Sequence, residues 1–109
     1  MDMVSTFKAL GLRTDDLLPL GQVFVTHGVN DLVNDGIVGQ LQLIRLVHRH
    51  AMGDWGDLCE EDRLMNEEAL DPECPERVLS SYPIGCHDKV WIITEWDRSR
   101  TTLLLPEEY

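Results

Sequence analysis

His50, Asp54 and Asp57 follow one another closely in this chain. A histidine titrates near neutral pH, and a carboxylate beside it can orient the ring, so the three could supply general acid/base chemistry. A second set gathers Glu95, Asp97, Arg98, Ser99, Arg100, Thr101 and Thr102, which could present acids, bases and hydroxyls to a ligand. If the protein is an enzyme, His50, Asp54, Asp57, Glu95 and Asp97 are the residues of a small hydrolase or nuclease. Each set also has a simpler, structural reading. A histidine in the last turn of a helix is favoured by the helix dipole, and Asp57 can cap the next helix. Asp97 and Ser99 are of the types that bond turn amides, and Arg98 can pair with a carboxylate of a neighbouring helix. The structural reading is preferred because turns and caps use these residue types routinely. No Walker loop, HExxH pair or nucleophile elbow occurs.

Metal chemistry has little support. Cys59, Cys74 and Cys86 are an odd set without a CxxC pair, which predicts neither a zinc ribbon nor a disulfide framework. Cys86 and His87, considered with His48 and His50, are adjacent residues that point to opposite faces of an extended segment. No metal and no cofactor is expected, and reduced thiols suit a cytoplasmic protein.

The 109 residues suit one domain, 1–109, and their hydrophobic fraction of 43% suffices for one core without a deep cavity. Residues 1–10 hold no unbroken apolar run, and nothing approaches the ~20 apolar residues that span a bilayer, so a soluble protein without membrane contact is expected. The net charge of -11 is concentrated. Between Asp54 and Glu76 ten acids stand against one base, Arg63. That surface repels nucleic acid and attracts a basic protein surface. Trp55 and Trp96 stand near loops, where tryptophan anchors interfaces, although Trp55 could equally close the core.

The elements that must position these residues form an α+β fold, with N-terminal helices packed on a small C-terminal antiparallel sheet. Residues 1–20 read as an adaptable arm containing a short helix, Ser5 to Leu12. A strand is predicted at Gln22 to His27 and a short helix at Asn30 to Val33. Leu43, Leu46, Val47 and His50 recur at helical spacing over Gly39 to Met52. Gly53-Asp54-Trp55-Gly56 stops that helix, and Asp57 with Glu60 reads as a capping box for an acidic helix reaching about Leu70. On it Leu58, Met65 and Ala69 face inward and Glu60, Glu61, Glu67 and Glu68 face solvent. Strands follow at Val78 to Tyr82, Lys89 to Trp96 and Thr101 to Leu105. Their short turns predict an antiparallel meander with the middle strand central and Trp91 or Ile92 buried.

The run Gly53-Asp54-Trp55-Gly56-Asp57, then Glu61-Asp62-Arg63 and Asn66, and the closing stretch from Trp91 to Tyr109 with its pattern ITExDRSxTTxLLPEEY, together resemble a family. It comprises small, poorly characterised proteins encoded on bacterial plasmids, prophages and integrative elements. The resemblance extends upstream to Gly21–Thr26 and His50. Some members carry the label plasmid-related protein or type I restriction methylase subunit. A methyltransferase needs a larger doubly wound sheet and a glycine-rich cofactor turn, which this chain lacks. Trp96 stands where members usually have a small residue, and the loop from Leu70 to Arg77 is rich in proline, acid and cysteine, so these departures mark a specialised surface.

The function expected is that of a non-catalytic acidic interaction protein of a mobile genetic element, with a basic host protein as partner. It would inhibit a nucleic-acid-handling or defence protein by DNA mimicry, without itself binding nucleic acid. Trp55, Glu60, Glu61, Glu67, Glu68, Trp96 and Arg98 are the candidate partner-binding residues. The alternatives are the hydrolase or nuclease above and a dimeric accessory regulator whose sheet edge pairs with itself; the chain is a monomer or homodimer.

Overall fold

The computed structural model describes residues 3–7, 18–85 and 88–109. Strands β1 (Met3–Phe7) and β2 (Gln22–Thr26) precede helices α1 (His27–Asn34), α2 (Gln40–Ala51) and α3 (Glu60–Ala69). Strands β3 (Val78–Ile84), β4 (Asp88–Thr94) and β5 (Arg100–Leu104) follow, with a 3-10 turn at Pro106–Glu108. One sheet takes the order β1-β2-β5-β4-β3. The class is α+β as expected, but the order of helices before sheet is not: the sheet starts before any helix. Ser5 to Phe7, read as helix, belong to β1; the rest of that segment and Cys86-His87 lie outside the described residues.

The meander β3–β4–β5 is antiparallel, and β4 lies inside the sheet. The sheet as a whole is mixed, because β2 joins β5 in parallel. Between these two strands the chain passes through three helices and two strands, length enough for the crossover that a parallel pair requires. Register aligns Val25, Leu103, Ile92 and Ser80 across four strands. Val23, Thr101, Thr94 and Val78 form the next row. All eight are buried, and together with Leu43, Leu46, Val47 and Ala51 of α2 they supply much of the core. Ile92 is fully buried, while Trp91, its neighbour on the opposite face, is half-buried.

Helix α2 ends in a Schellman motif: the Gly53 amide donates to the His50 carbonyl at 3.2 Å and the Asp54 amide to the Arg49 carbonyl at 2.9 Å. The chain then docks on the outer edge of β3. The Ser81 amide donates to the Trp55 carbonyl at 3.1 Å, and the Asp57 amide to the Ser81 carbonyl at 2.7 Å. This pairing overturns the capping box expected at Asp57 and Glu60. With the Asp57 backbone engaged by the sheet, α3 begins later and its N-cap is Cys59, whose side chain makes no capping bond.

The inward face of α3 also differs. Met65 is 65% exposed, and Asn66 is buried with Ala69 instead. The reason is what the helix meets. The Asn66 side-chain amide donates to the Leu79 carbonyl at 2.7 Å, and its Oδ1 accepts the Leu79 amide at 3.1 Å. A strand edge offers backbone donors and acceptors, which an asparagine matches and a methionine does not.

Candidate functional site

His50 is fully buried and occupies the centre of a hydroxyl chain. Its Nδ1 lies 2.5 Å from Ser80 Oγ and its Nε2 2.9 Å from Thr94 Oγ1. Thr94 Oγ1 lies 2.7 Å from Thr101 Oγ1, which donates to the Leu20 carbonyl at 2.8 Å. That carbonyl fixes the direction of the whole chain. Thr101 spends its proton on Leu20, so Thr94 donates to Thr101, His50 Nε2–H donates to Thr94, and Ser80 donates to an unprotonated Nδ1. Burial, with Arg98's charge second, pushes the ring down to about 3. The imidazole is therefore a neutral bridge from α2 to β3 and β4, engaged at both nitrogens.

Asp54 does not reach this ring. Its Oδ2 accepts from Arg49 Nε at 2.7 Å and its Oδ1 from the Gly56 amide. The bond from Arg49 is the main reason its carboxyl sits below the usual range. The Arg49 guanidinium lies 4.7 Å from the Tyr82 ring centroid, and the Tyr82 hydroxyl donates to the Asp54 carbonyl. Burial raises that phenol to about 12. Asp57 is exposed beyond this cluster, so His50, Asp54 and Asp57 are not assembled around a common point.

The closing motif is spent on the fold in the same way. The Asp97 carboxylate accepts the Ser99 amide at 3.0 Å, and the hydrogen bonds of Ser99 lower its pKa. Arg98 adopts φ 59° and finds no carboxylate on α3, contrary to expectation. It donates to the carbonyls of Ala69 at 2.7 Å, Glu76 at 2.6 Å and Glu95 at 3.2 Å, closing the C-terminal end of α3. Glu95 faces Arg77 at 3.5 Å. The Glu108 carboxylate accepts from Thr26 Oγ1 at 2.5 Å, the Gly28 amide at 3.1 Å and the Leu105 amide at 2.8 Å, clamping the start of α1. Burial raises the Glu108 pKa, and these bonds outweigh it to leave the carboxyl lowered.

Comparisons with family profiles, curated proteins and solved structures find no match. What remains for a partner is the surface that folding has not used. Trp55, read as interface anchor or core, is core at 8% exposure. Glu60, Glu61, Glu67 and Glu68 are all exposed, as are Asp62, Leu64 and Met65. Trp96 stands 59% exposed at the β4–β5 turn, beyond the strand it was expected to end. The acids at Glu60, Glu61 and Asp62 suit the positive end of α3, whereas Glu67 and Glu68 sit at its negative end without a basic residue in the last turn. Helix energetics disfavour that second pair by about 0.3–1 kcal/mol per charge.

Arg77, Leu79 and Tyr109 received no site role from the sequence and Trp91 was considered only for burial, yet the four converge beside α3. Arg77 Nη1 donates to the Tyr109 hydroxyl at 2.5 Å, and the Trp91 and Tyr109 rings meet edge to face at 5.8 Å. Trp91 and Tyr109 stood in the stretch that carries the resemblance, which was the one available signal. Among the described residues no group of three or more His, Cys, Asp or Glu side chains could hold a metal, and Cys59 and Cys74 are free and exposed. No described helix is long and apolar enough to cross a membrane.

Proposed function

We propose that this chain is a non-catalytic interaction protein that occupies a basic cleft of a protein partner with the exposed acidic face of α3. The observation that carries the reading is the set Glu60, Glu61, Asp62, Glu67 and Glu68, all exposed on one ten-residue helix. Such a helix is about 15 Å long and carries its acids as two clusters, Glu60 to Asp62 and Glu67 with Glu68, separated by about 7.5 Å along the axis, so its length matches about four phosphates of one DNA strand. An Arg- and Lys-lined cleft that holds nucleic acid would accept those clusters. The dipole argument adds weight, since Glu67 and Glu68 are placed against helix stability. The resemblance to proteins of plasmids and prophages makes a cytoplasmic host nucleic-acid-handling or defence protein the favoured target.

The test is the fourfold reversal E60K/E61K/E67K/E68K. All four positions are exposed, where substitutions usually cost under ~0.5 kcal/mol each, so the domain is expected to fold. Partner affinity is expected to collapse in the reversed protein, and in the natural one to fall as salt rises through the physiological range. Unchanged affinity in the folded variant would show that the acids serve solubility alone.

A further inference from the structure

A groove of about 290 Å³ opens between α3 and the sheet face turned away from α1 and α2. Leu79 and Ile93, paired in register on β3 and β4, line it with Trp91, two residues from Ile93 on the same face. Met65 of α3 and the Tyr109 ring also line it. Its volume lies at the lower limit of small-molecule sites, about 300–1,000 Å³, and suits one or two apolar side chains better than a cofactor.

The rim identifies the occupant. Asp62 lines the groove, and Glu61 and Glu68 flank Met65 at i-4 and i+3, so they share its side of the helix. None of the three forms an ion pair among the described residues. The groove's one cation, Arg77, is engaged by Glu95 and Tyr109. A second copy of this chain would bring acids against acids.

We propose that the groove receives an apolar anchor, Leu or Phe, carried by a basic amphipathic peptide segment of the partner. The proposal takes the sign of the partner's charge from the acidic-face reading, and adds that recognition is not electrostatic alone. Met65 and Leu64 separate the two claims. Both are exposed, at 65% and 51%, but only Met65 lines the groove. M65E adds negative charge while blocking the apolar site; L64E adds the same charge outside it.

The probes are a Lys/Arg/Ala helical peptide carrying Leu and Phe at i and i+4, and the same peptide with both replaced by Ser, titrated by calorimetry. The Leu/Phe peptide is expected to bind about ten to a hundred times more tightly, as burial of one or two apolar side chains requires. M65E should erase that preference and L64E retain it. Equal affinity for both peptides, no binding of either, or a preference that survives in M65E would overturn the groove. The double variant E60K/E67K, which leaves the rim acids Glu61 and Glu68 in place, reports separately on the acidic face. If it abolishes binding while M65E changes nothing, the acidic reading stands and the groove falls. If it leaves binding intact while M65E destroys it, the acidic reading falls, and with it the basic character assigned to the occupant.

Discussion

His50 shows how a residue with catalytic credentials becomes structural. A ring lowered to about 3 by burial is neutral in the fold but protonated below about 6.5 once unfolded. The unfolded chain then binds the extra proton, so stability is fully present above about 6.5 and is lost as pH falls towards 3, at a limiting slope near 1.4 kcal/mol per unit. Native carboxylates with lowered pKa values, Asp54 and Glu108 among them, lose their contribution in the same direction but at lower pH. Urea midpoints are therefore expected to fall between pH 6.5 and 4.5, and H50Q, though less stable, should show a flatter dependence there. A residue-scale test also exists for the Gly56 turn. Its φ is 74°, and a Cβ would lie 2.2 Å from the Ser81 carbonyl oxygen, where the backbone cannot yield. G36A shares the positive φ without any neighbour within 4 Å and is expected to cost about 1–2 kcal/mol. G56A should cost clearly more or prevent folding, as chemical denaturation would measure.

At the scale of elements, the outer edge of β3 is closed by two devices. Trp55 and Asp57 pair with Ser81, and Asn66 pairs with Leu79. Self-pairing through this edge, as the dimeric regulator would use, must displace those bonds. N66A leaves the Leu79 amide and carbonyl without partners and is expected to cost about 2–4 kcal/mol, read from denaturation midpoints. Arg98 ties the last residue of α3, through the Ala69 carbonyl, to the carbonyls of Glu76 and Glu95 outside the helix, a reach that depends on the planar guanidinium. R98K should therefore lose most of what R98A loses, with faster amide hydrogen exchange over residues 66–70 in both. Helix α2 and the β3–β4–β5 meander were legible because apolar spacing and short turns are local signals. The parallel β2–β5 pair was not, since nothing in Gln22–Thr26 marks a partner that lies beyond three helices.

For the whole molecule, the net charge of -11 implies self-repulsion that salt relieves. The melting temperature is expected to rise between low and physiological ionic strength, and to rise less in the fourfold Lys variant; an equal rise would place the repulsion elsewhere. The sequence by itself determined the acidic segment, the class of fold, the stop at Gly53 and the solvent exposure of Glu60, Glu61, Glu67 and Glu68, because composition, periodicity and turn chemistry act within a few residues. Tertiary structure alone decided that His50 bridges Ser80 and Thr94, that Trp55 is core, that Asn66 replaces Met65 on the inner face of α3, and that Met65, Leu79, Trp91 and Tyr109 share a groove. These outcomes join residues far apart in the chain, as Thr101 joins Leu20 across 81 positions. A polar side chain can be buried only where a distant partner satisfies it, and no local pattern records where that partner will stand.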